Sequence, residues 1–151
     1  LIIGHSFGGA VGVSAVTGAI AGTRTLNTAG LVTISAPVSM PDLFAGVGHF
    51  FGLGRKAQTA MENSIHKLAG RPLSDFVSSN QIKSFRGKVL VIHAPDDREV
   101  AFSEAEAMAR DNPNVTLKSF DGLGHRRIIT DVNVFAAIRE FASTKLLAAA
   151  A

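Results

Sequence analysis

The feature that most constrains the fold is the uncharged sequence LIIGHSFGGAVGVSAVTGAIAG at residues 1–22. An apolar run of this length could cross a membrane or be the end of a signal peptide. Its many glycines disfavour one continuous helix, and His5 and Ser6 stand near its start where a leader would be basic. We therefore interpret residues 1–4 as the end of a buried strand, the next three residues as a sharp turn, and residues 8–21 as a helix of small residues.

Three later segments have the composition of strands. Residues 30–36 and 88–94 are apolar and rich in β-branched side chains, and a proline follows each of them. Residues 115–120 alternate apolar and polar side chains, as a half-exposed strand near a sheet edge does.

Helical patterns separate these strands. Ser103 precedes the Glu-rich sequence EAEAMAR, which predicts that it caps a helix. A second helix is predicted over residues 131–147. Its predicted buried face consists of Val134, Phe135, Ile138, Phe141 and Ala142. Strands that alternate with helices predict an α/β fold, with a mostly parallel sheet covered by helices on both faces.

Residues 38–86 interrupt the alternation, because they contain no strand pattern and have the pattern of two or more helices. The stretch is longer than one crossover needs and is rich in phenylalanine. We predict a helical cap, or lid, over the carboxyl ends of the strands, where open sheets bind ligands. Phe44, Phe50 and Phe51 are the candidates for substrate contact. The alternative is a set of ordinary helices that cover one face of the sheet.

The turn at Gly4-His5-Ser6-Phe7-Gly8 matches G-x-S-x-G between a predicted strand and a predicted helix. A serine raised on such a turn needs small residues two positions away on either side. The helix that follows would direct its N-terminal N–H groups toward a developing oxyanion, and the backbone N–H of Phe7 would be one donor. On its own, the motif could equally mark a plain packing turn.

Two further loops could supply partners for Ser6. The sequence HAPDDREV, which contains Asp96 and Asp97, ends the strand at 88–94, and DGLGHRR follows the last strand and carries His125. Loops that follow parallel strands leave from the same edge of a sheet, so these side chains should lie close together. The histidine could take the serine proton, and a carboxylate could orient the imidazole.

Together the three motifs resemble those of the α/β-hydrolase family. GHSFGG resembles its nucleophile elbow, HAPDDREV its acid loop and GLGHRR its histidine loop, in the family's order of Ser, Asp and His. The family's acid stands three residues before a valine, here Val100, which selects Asp97. The resemblance implies a carboxylesterase-like or lipase-like serine hydrolase that cleaves an ester or related acyl substrate through an acyl-enzyme. Its triad would be Ser6, Asp97 and His125, and it would need no cofactor.

The resemblance covers the chain as the C-terminal part, 1–151, of a single α/β-hydrolase domain. Members of the family have further strands before the elbow, and a loop there supplies a second oxyanion donor. We therefore expect the N-terminal strands and that donor to be missing, the missing half to be this chain's partner, and the isolated chain to be inactive. Since a fold does not fix function, a thioesterase, an acyltransferase and a non-catalytic binding module remain alternatives.

Composition argues against several other classes. The chain has no cysteine, which excludes disulfides, thiolate metal sites and a cysteine nucleophile. Its 15 Lys and Arg against 12 Asp and Glu are not clustered, so nucleic acid is not an expected partner. His49 and His66 lack the i,i+4 partners of a helical metal pair, so we expect no metal. We expect a small acyl substrate and a cytoplasmic location, and leave the oligomeric state open.

Overall fold

The computed structural model describes residues 1–110 and 112–149, with side chains described up to residue 144. This part of the chain contains a sheet of four parallel strands in the order β1-β2-β3-β4. The strands are β1 (Ile2–His5), β2 (Gly30–Ile34), β3 (Lys88–His93) and β4 (Val115–Ser119). The predicted α/β class and parallel sheet are confirmed. The predicted domain 1–151 also includes residues 111, 150 and 151, which lie outside the described residues.

The four strands end together at one edge of the sheet. His5 of β1 lies opposite Ile34 of β2, and Ile34 lies opposite Ile92 of β3. His93, the next residue of β3, lies opposite Ser119 of β4. The loops that follow these strands therefore start at neighbouring positions along the same edge of the sheet, although they are far apart in the sequence.

The first helix, α1 (Phe7–Thr17), follows β1 after a single residue. It ends earlier than the predicted span of residues 8–21, so that prediction was wrong at its C-terminal end. Gly18 adopts the left-handed conformation with φ 66°, and its N–H donates to the Ser14 carbonyl. A Cβ at Gly18 would lie 2.5 Å from Thr25 Oγ1, so the turn that ends the helix requires glycine.

Residues 38–86 are largely helical. Their elements are α2 (Met40–Phe50), α3 (Arg55–Ala69), α4 (Ser78–Gln81) and the 3₁₀ turns Leu73–Asp75 and Ile82–Ser84. Ser39 caps α2, because its Oγ accepts the Asp42 N–H at 3.2 Å. α3 buries none of its residues.

The stretch 38–86 has two parts. Residues 40–76, which include α2 and α3, form an excursion away from the sheet, and the residues after them cover one face of the sheet. The Met40 N–H donates to the Phe76 carbonyl at 3.0 Å and the Ser78 N–H to the Val38 carbonyl at 2.8 Å, which closes the excursion of α2 and α3 at its base. After this closure, Ile82 joins the main hydrophobic core. The predicted lid and the alternative covering helices therefore describe different parts of the stretch, and the function of the excursion as a lid stays a prediction.

The remaining described helices are α5 (Phe102–Ala109), α6 (Gly124–Arg127) and α7 (Val132–Ala149), with a 3₁₀ turn at Ile128–Thr130. The prediction that Ser103 caps α5 is wrong, because the helix begins at Phe102 and Ala101 takes the cap position. The N–H of Glu104 donates to the Ala101 carbonyl at 3.0 Å. The side chain of Glu104 instead accepts from the backbone N–H groups of Val38 and Ser39, at 2.7 and 3.1 Å.

The buried face of α7 differs from the predicted one. Val134 and Ile138 are buried as expected, but Phe135 is 48% exposed and Ala137 is buried in its place. Positions i, i+3 and i+4 lie on one helix face, whereas residue i+1 is turned about 100° away from residue i. Asp131 caps this helix, because its Oδ1 accepts the Asn133 N–H at 2.8 Å.

Helices cover both faces of the sheet. Alternate strand residues point to opposite faces, so Leu31 and Val89 contribute to one core while Val32 and Leu90 contribute to the other. The first core includes side chains of α1 and α5, and the second includes side chains of α7. Within the described residues, no helix is both long enough and apolar enough to span a membrane.

Candidate active site

Ser6 occupies the single position between β1 and α1, in a strained backbone conformation with φ 53° and ψ −131°. Its N–H donates to the Ile34 carbonyl of the neighbouring strand at 2.8 Å, and its carbonyl accepts the Gly9 N–H at 2.9 Å. These bonds hold a conformation that a free serine would seldom adopt. The turn therefore presents the Ser6 side chain at the carboxyl edge of the sheet.

Two glycines around Ser6 have no room for a side chain, and only one of them is a glycine of the G-x-S-x-G motif. A Cβ at Gly4 would collide with the backbone of Gly8, and a Cβ at Gly9 would lie 2.5 Å from the Ala36 Cβ. A Cβ at Gly8 itself would have no atom within 4 Å. The expectation that both motif glycines must be small is therefore met by Gly4 and not by Gly8.

The side chains of Ser6, Asp97 and His125 form a continuous chain of hydrogen bonds. His125 Nε2 lies 3.0 Å from Ser6 Oγ, and its Nδ1 lies 2.9 Å from Asp97 Oδ2. His125 and Asp97 are buried, at 8% and 9% exposure. Since a carboxylate only accepts, Nδ1 carries the proton, and Nε2 is then free to accept from the serine hydroxyl.

Backbone N–H groups of the acid loop donate hydrogen bonds to the Asp97 carboxylate. Its Oδ1 accepts the N–H groups of Glu99 and Val100, each at 2.9 Å. Burial raises the pKa of Asp97, but the hydrogen bonds from Val100, His125 and Glu99 outweigh it and hold the pKa below its ordinary value. The carboxyl group is therefore stabilised in its ionised form, the form that can accept from the imidazole.

Asp96, the neighbour of the candidate acid, connects the two loops instead of contacting the imidazole. Its Oδ1 accepts the N–H groups of Gly122 and Gly124 at 2.9 and 3.3 Å. Both glycines have positive φ, at 76° and 57°. The histidine loop is therefore attached to the acid loop at two points next to His125.

Among the described residues there is no cluster of three or more His, Asp or Glu side chains that could hold a metal ion.

Solved structures of other proteins share the fold of this chain. An α/β hydrolase enzyme from the metagenome of sediments of the Mar Chica lagoon, Morocco, matches with a TM-score of 0.62 and 16% identity, over 95% of this chain and 61% of that chain. The esterase domain of a Rhodothermus marinus protein matches with 0.55 and 23%, over 91% and 59%. An esterase of Pyrococcus furiosus matches with 0.60 and 20%, over 95% and 52%.

The chain has the α/β-hydrolase fold. It spans between 52% and 61% of the length of these three structures. The sequence itself matches no protein-family model and no curated protein. At these identities the comparison shows the fold alone, and the chemistry has to be argued from the side chains.

In this α/β-hydrolase fold, two residues that the sequence analysis did not identify contact His125. His5 Nε2 lies 2.9 Å from the His125 carbonyl, so that nitrogen donates the hydrogen bond, and the two rings are 4.9 Å apart. Glu99 Oε2 lies 3.8 Å from His125 Nε2, while Glu99 Oε1 accepts from Arg126 Nε at 3.0 Å. His5 directly precedes Ser6 in the sequence and Glu99 stands two residues after Asp97, and this proximity was the available signal.

Two further residues, His93 and Ser35, lie beside Asp97. His93 Nε2 is 3.0 Å from the Val100 carbonyl and 3.4 Å from Asp97 Oδ2, so it donates to the carbonyl and stands next to the carboxylate. Ser35 is fully buried with φ 45°, and its Oγ makes no well-aligned hydrogen bond with the described residues. It still lies close enough to Asp97 to help lower the pKa of that carboxyl. Its signal in the sequence is its place directly after β2.

The three candidate phenylalanines of the cap line different surfaces. Phe44 lines an apolar cavity of about 170 Å³ beside α1, and Phe7 lines the same cavity. Phe50 and Phe51 are 83% and 70% exposed and line a separate open groove that includes Glu99. Of the three, Phe44 alone lines the apolar cavity beside the turn at Ser6.

Proposed function

We propose that the protein is a serine hydrolase that cleaves ester or related acyl substrates through a covalent acyl-enzyme. The observation that carries this proposal is the continuous hydrogen-bond chain from buried Asp97 through buried His125 to Ser6, at 2.9 and 3.0 Å. A serine next to an oriented base is the arrangement that nucleophilic catalysis requires. A binding module would have no physical need for this chain of contacts on a strained turn.

The first half of the reaction forms the acyl-enzyme. Ser6 Oγ attacks the substrate carbonyl carbon while His125 Nε2 takes the hydroxyl proton. Ionised Asp97 stabilises the imidazolium through Nδ1. Phe7 is the first residue of α1, where backbone N–H groups have no intrahelical acceptor, so its N–H can donate to the oxyanion. His125 then protonates the leaving oxygen, and the carbon–oxygen bond of the ester breaks.

The second half returns the serine. A water molecule loses a proton to His125 Nε2 and attacks the acyl carbon, and the imidazolium then returns a proton to Ser6 Oγ as the acid leaves. The esterases among the structural neighbours support an ester as substrate. A thioesterase or acyltransferase would share the first half of the reaction and differ in its leaving group or acyl acceptor.

Labelling of the full-length protein with a fluorophosphonate probe tests the proposal. The probe should attach to Ser6, as located by peptide mass spectrometry, and labelling should be lost in Ser6→Ala and strongly reduced in His125→Ala. Ser74→Ala, at an exposed serine of the 3₁₀ turn Leu73–Asp75, is the matched control and should label fully. The binding module would be favoured by the following result: the protein has a native near-UV circular dichroism spectrum, Ser6 does not react with the probe, and no ester, thioester or amide is hydrolysed.

A further inference from the structure

The apolar cavity beside α1 begins next to the nucleophile turn and follows the helix. Phe7, Ala10, Val11 and Ser14 form one of its walls, and they share a helix face because they stand at positions i, i+3, i+4 and i+7. Side chains of the excursion, including Phe44, form the opposite wall. The cavity volume is about 170 Å³. An apolar cavity of about 150 Å³ is large enough to bind benzene, so this one can hold an acyl group of about that size.

Three polar side chains interrupt the apolar lining of the cavity, those of Ser14, Ser78 and Gln81. Gln81 Nε2 already donates to the Asp75 carbonyl at 3.1 Å. Ser14 of α1 and Ser78 of α4 are only 8% and 4% exposed. Neither hydroxyl hydrogen-bonds to a group of residues 1–110 or 112–144. Among the described residues, Ser35 Oγ is the one fully buried side-chain polar atom without a partner, so the Ser14 and Ser78 hydroxyls keep some accessible surface where they line the cavity. The two hydroxyls are therefore available to a ligand in the cavity.

The distance along α1 fixes where such a ligand would need its polar group. Ser14 is seven residues beyond Phe7, which corresponds to about 10 Å at a rise of about 1.5 Å per residue. An extended chain covers roughly 1.2 Å per bond, as the spacing of backbone atoms shows. After allowance for the length of a hydrogen bond, an oxygen about six bonds from the acyl carbon would reach the serines.

We infer that the cavity binds the acyl group of the substrate, and that Ser14 and Ser78 select acyl groups with a hydrogen-bonding oxygen about six bonds from the carbonyl carbon. The inference rests on the proposed function, because it assigns the acyl side of the same reaction. A substrate with an oxygen at this place satisfies the two hydroxyls, whereas a purely aliphatic one of the same shape leaves them buried without partners.

A pair of shape-matched esters tests the selectivity. The p-nitrophenyl esters of 6-oxoheptanoic and 6-methylheptanoic acid differ by an oxygen in place of a methyl group. The kcat/KM should favour the oxo ester by tenfold or more, since each neutral hydrogen bond accounts for up to about tenfold. Ser14→Ala and Ser78→Ala should each reduce that preference by up to about tenfold. Ser74→Ala should leave the preference unchanged.

A binding measurement separates this inference from the proposed function. In the Ser6→Ala protein, 2-heptanone should bind, as observed by ligand-detected NMR, and an added Ser14→Ala substitution should weaken its binding while an added Ser74→Ala should not. Turnover of both esters without an oxo preference would overturn the inference and leave the proposed function intact. Absence of all turnover, with binding of 2-heptanone that depends on Ser14, would overturn the proposed function and the acyl assignment, and would leave the cavity as a site for oxygen-bearing apolar ligands. Binding that is insensitive to Ser14 and Ser78 would overturn the selectivity outright.

Discussion

Asp96 and Asp97 are neighbours with the same side chain, but they have different hydrogen-bond partners. Asp97 contacts the imidazole of His125, and Asp96 accepts two backbone N–H groups of the histidine loop. An asparagine at position 96 keeps an oxygen that accepts from the same N–H groups. An asparagine at position 97 can turn its amide toward the imidazole and favour the wrong tautomer.

We therefore expect Asp97→Asn to lower kcat for a p-nitrophenyl ester by about 10⁴, and Asp96→Asn to lower it only slightly. Asp96→Ala, which removes the acceptor, should reduce activity more than Asp96→Asn because the histidine loop loses both of its attachments. Steady-state kinetics on proteins with matching near-UV spectra will measure this. A larger loss in Asp96→Asn than in Asp97→Asn would contradict the assignment of the acid.

The glycines around Ser6 give a second prediction at the scale of single residues. Gly4→Ala should lower the free energy of unfolding by roughly 1–3 kcal/mol or more, because its Cβ would collide with the backbone of Gly8. Gly8→Ala should leave stability unchanged or raise it by up to about 1 kcal/mol, because the new Cβ meets open space and alanine favours the helix. Urea unfolding of both variants measures the difference, and equal destabilisation would contradict the geometry.

At the scale of elements, the sequence was sufficient where apolar pattern decided the structure. The strand at β3 is a run of β-branched and apolar residues between a glycine and a proline, and both of its ends were predicted to within one residue. Helix ends were predicted less well, because they depend on contacts distant in the sequence. Gly18 ends α1 against Thr25, and Glu104 bonds to residues 38 and 39 instead of completing a cap with Ser103.

The candidate site shows the same division. Ser6, Asp97 and His125 were identified because each belongs to a short motif at a strand end. Ser35 belongs to no motif and His5 fills a variable position of G-x-S-x-G. Their proximity to Asp97 and His125 follows from the order of the strands, which the sequence does not display. The different positions of Phe44 and Phe50 depend on how α2 packs, and this information is likewise absent from a composition rich in phenylalanine.

The contact between α5 and the start of the excursion gives a prediction at this scale. Glu104→Ala should lower the free energy of unfolding by about 1–3 kcal/mol, because it leaves the N–H groups of Val38 and Ser39 without their acceptor. Glu106→Ala, at an exposed position of the same helix, is the matched control and should change stability by less than about 0.5 kcal/mol. Similar stabilities of the two variants would mean that this contact does not help to hold the excursion.

For the molecule as a whole, the lowered pKa of Asp97 links stability to pH. The folded protein keeps this carboxyl ionised at a lower pH than the unfolded chain does, so the unfolded chain binds more protons in acid. The stabilisation is complete above the unfolded pKa of about 3.9 and is lost as the pH falls through the lower folded pKa. Asp97→Asn should therefore unfold with a weaker dependence on pH in this acid range. Urea unfolding between about pH 2 and 6 measures it, and parallel curves for the two proteins would contradict the shift.

The hydrogen bond between Ser6 and His125 joins residues 119 positions apart. Contacts between residues so far apart in the sequence are slow to form, because closing the long intervening loop costs entropy before the contact compensates for it. Ser6 can thus reach His125 only when β1 and the loop that follows β4 have come together. During refolding, helices can form before this hydrogen bond does, so the approach of the two side chains reports on a late stage of assembly.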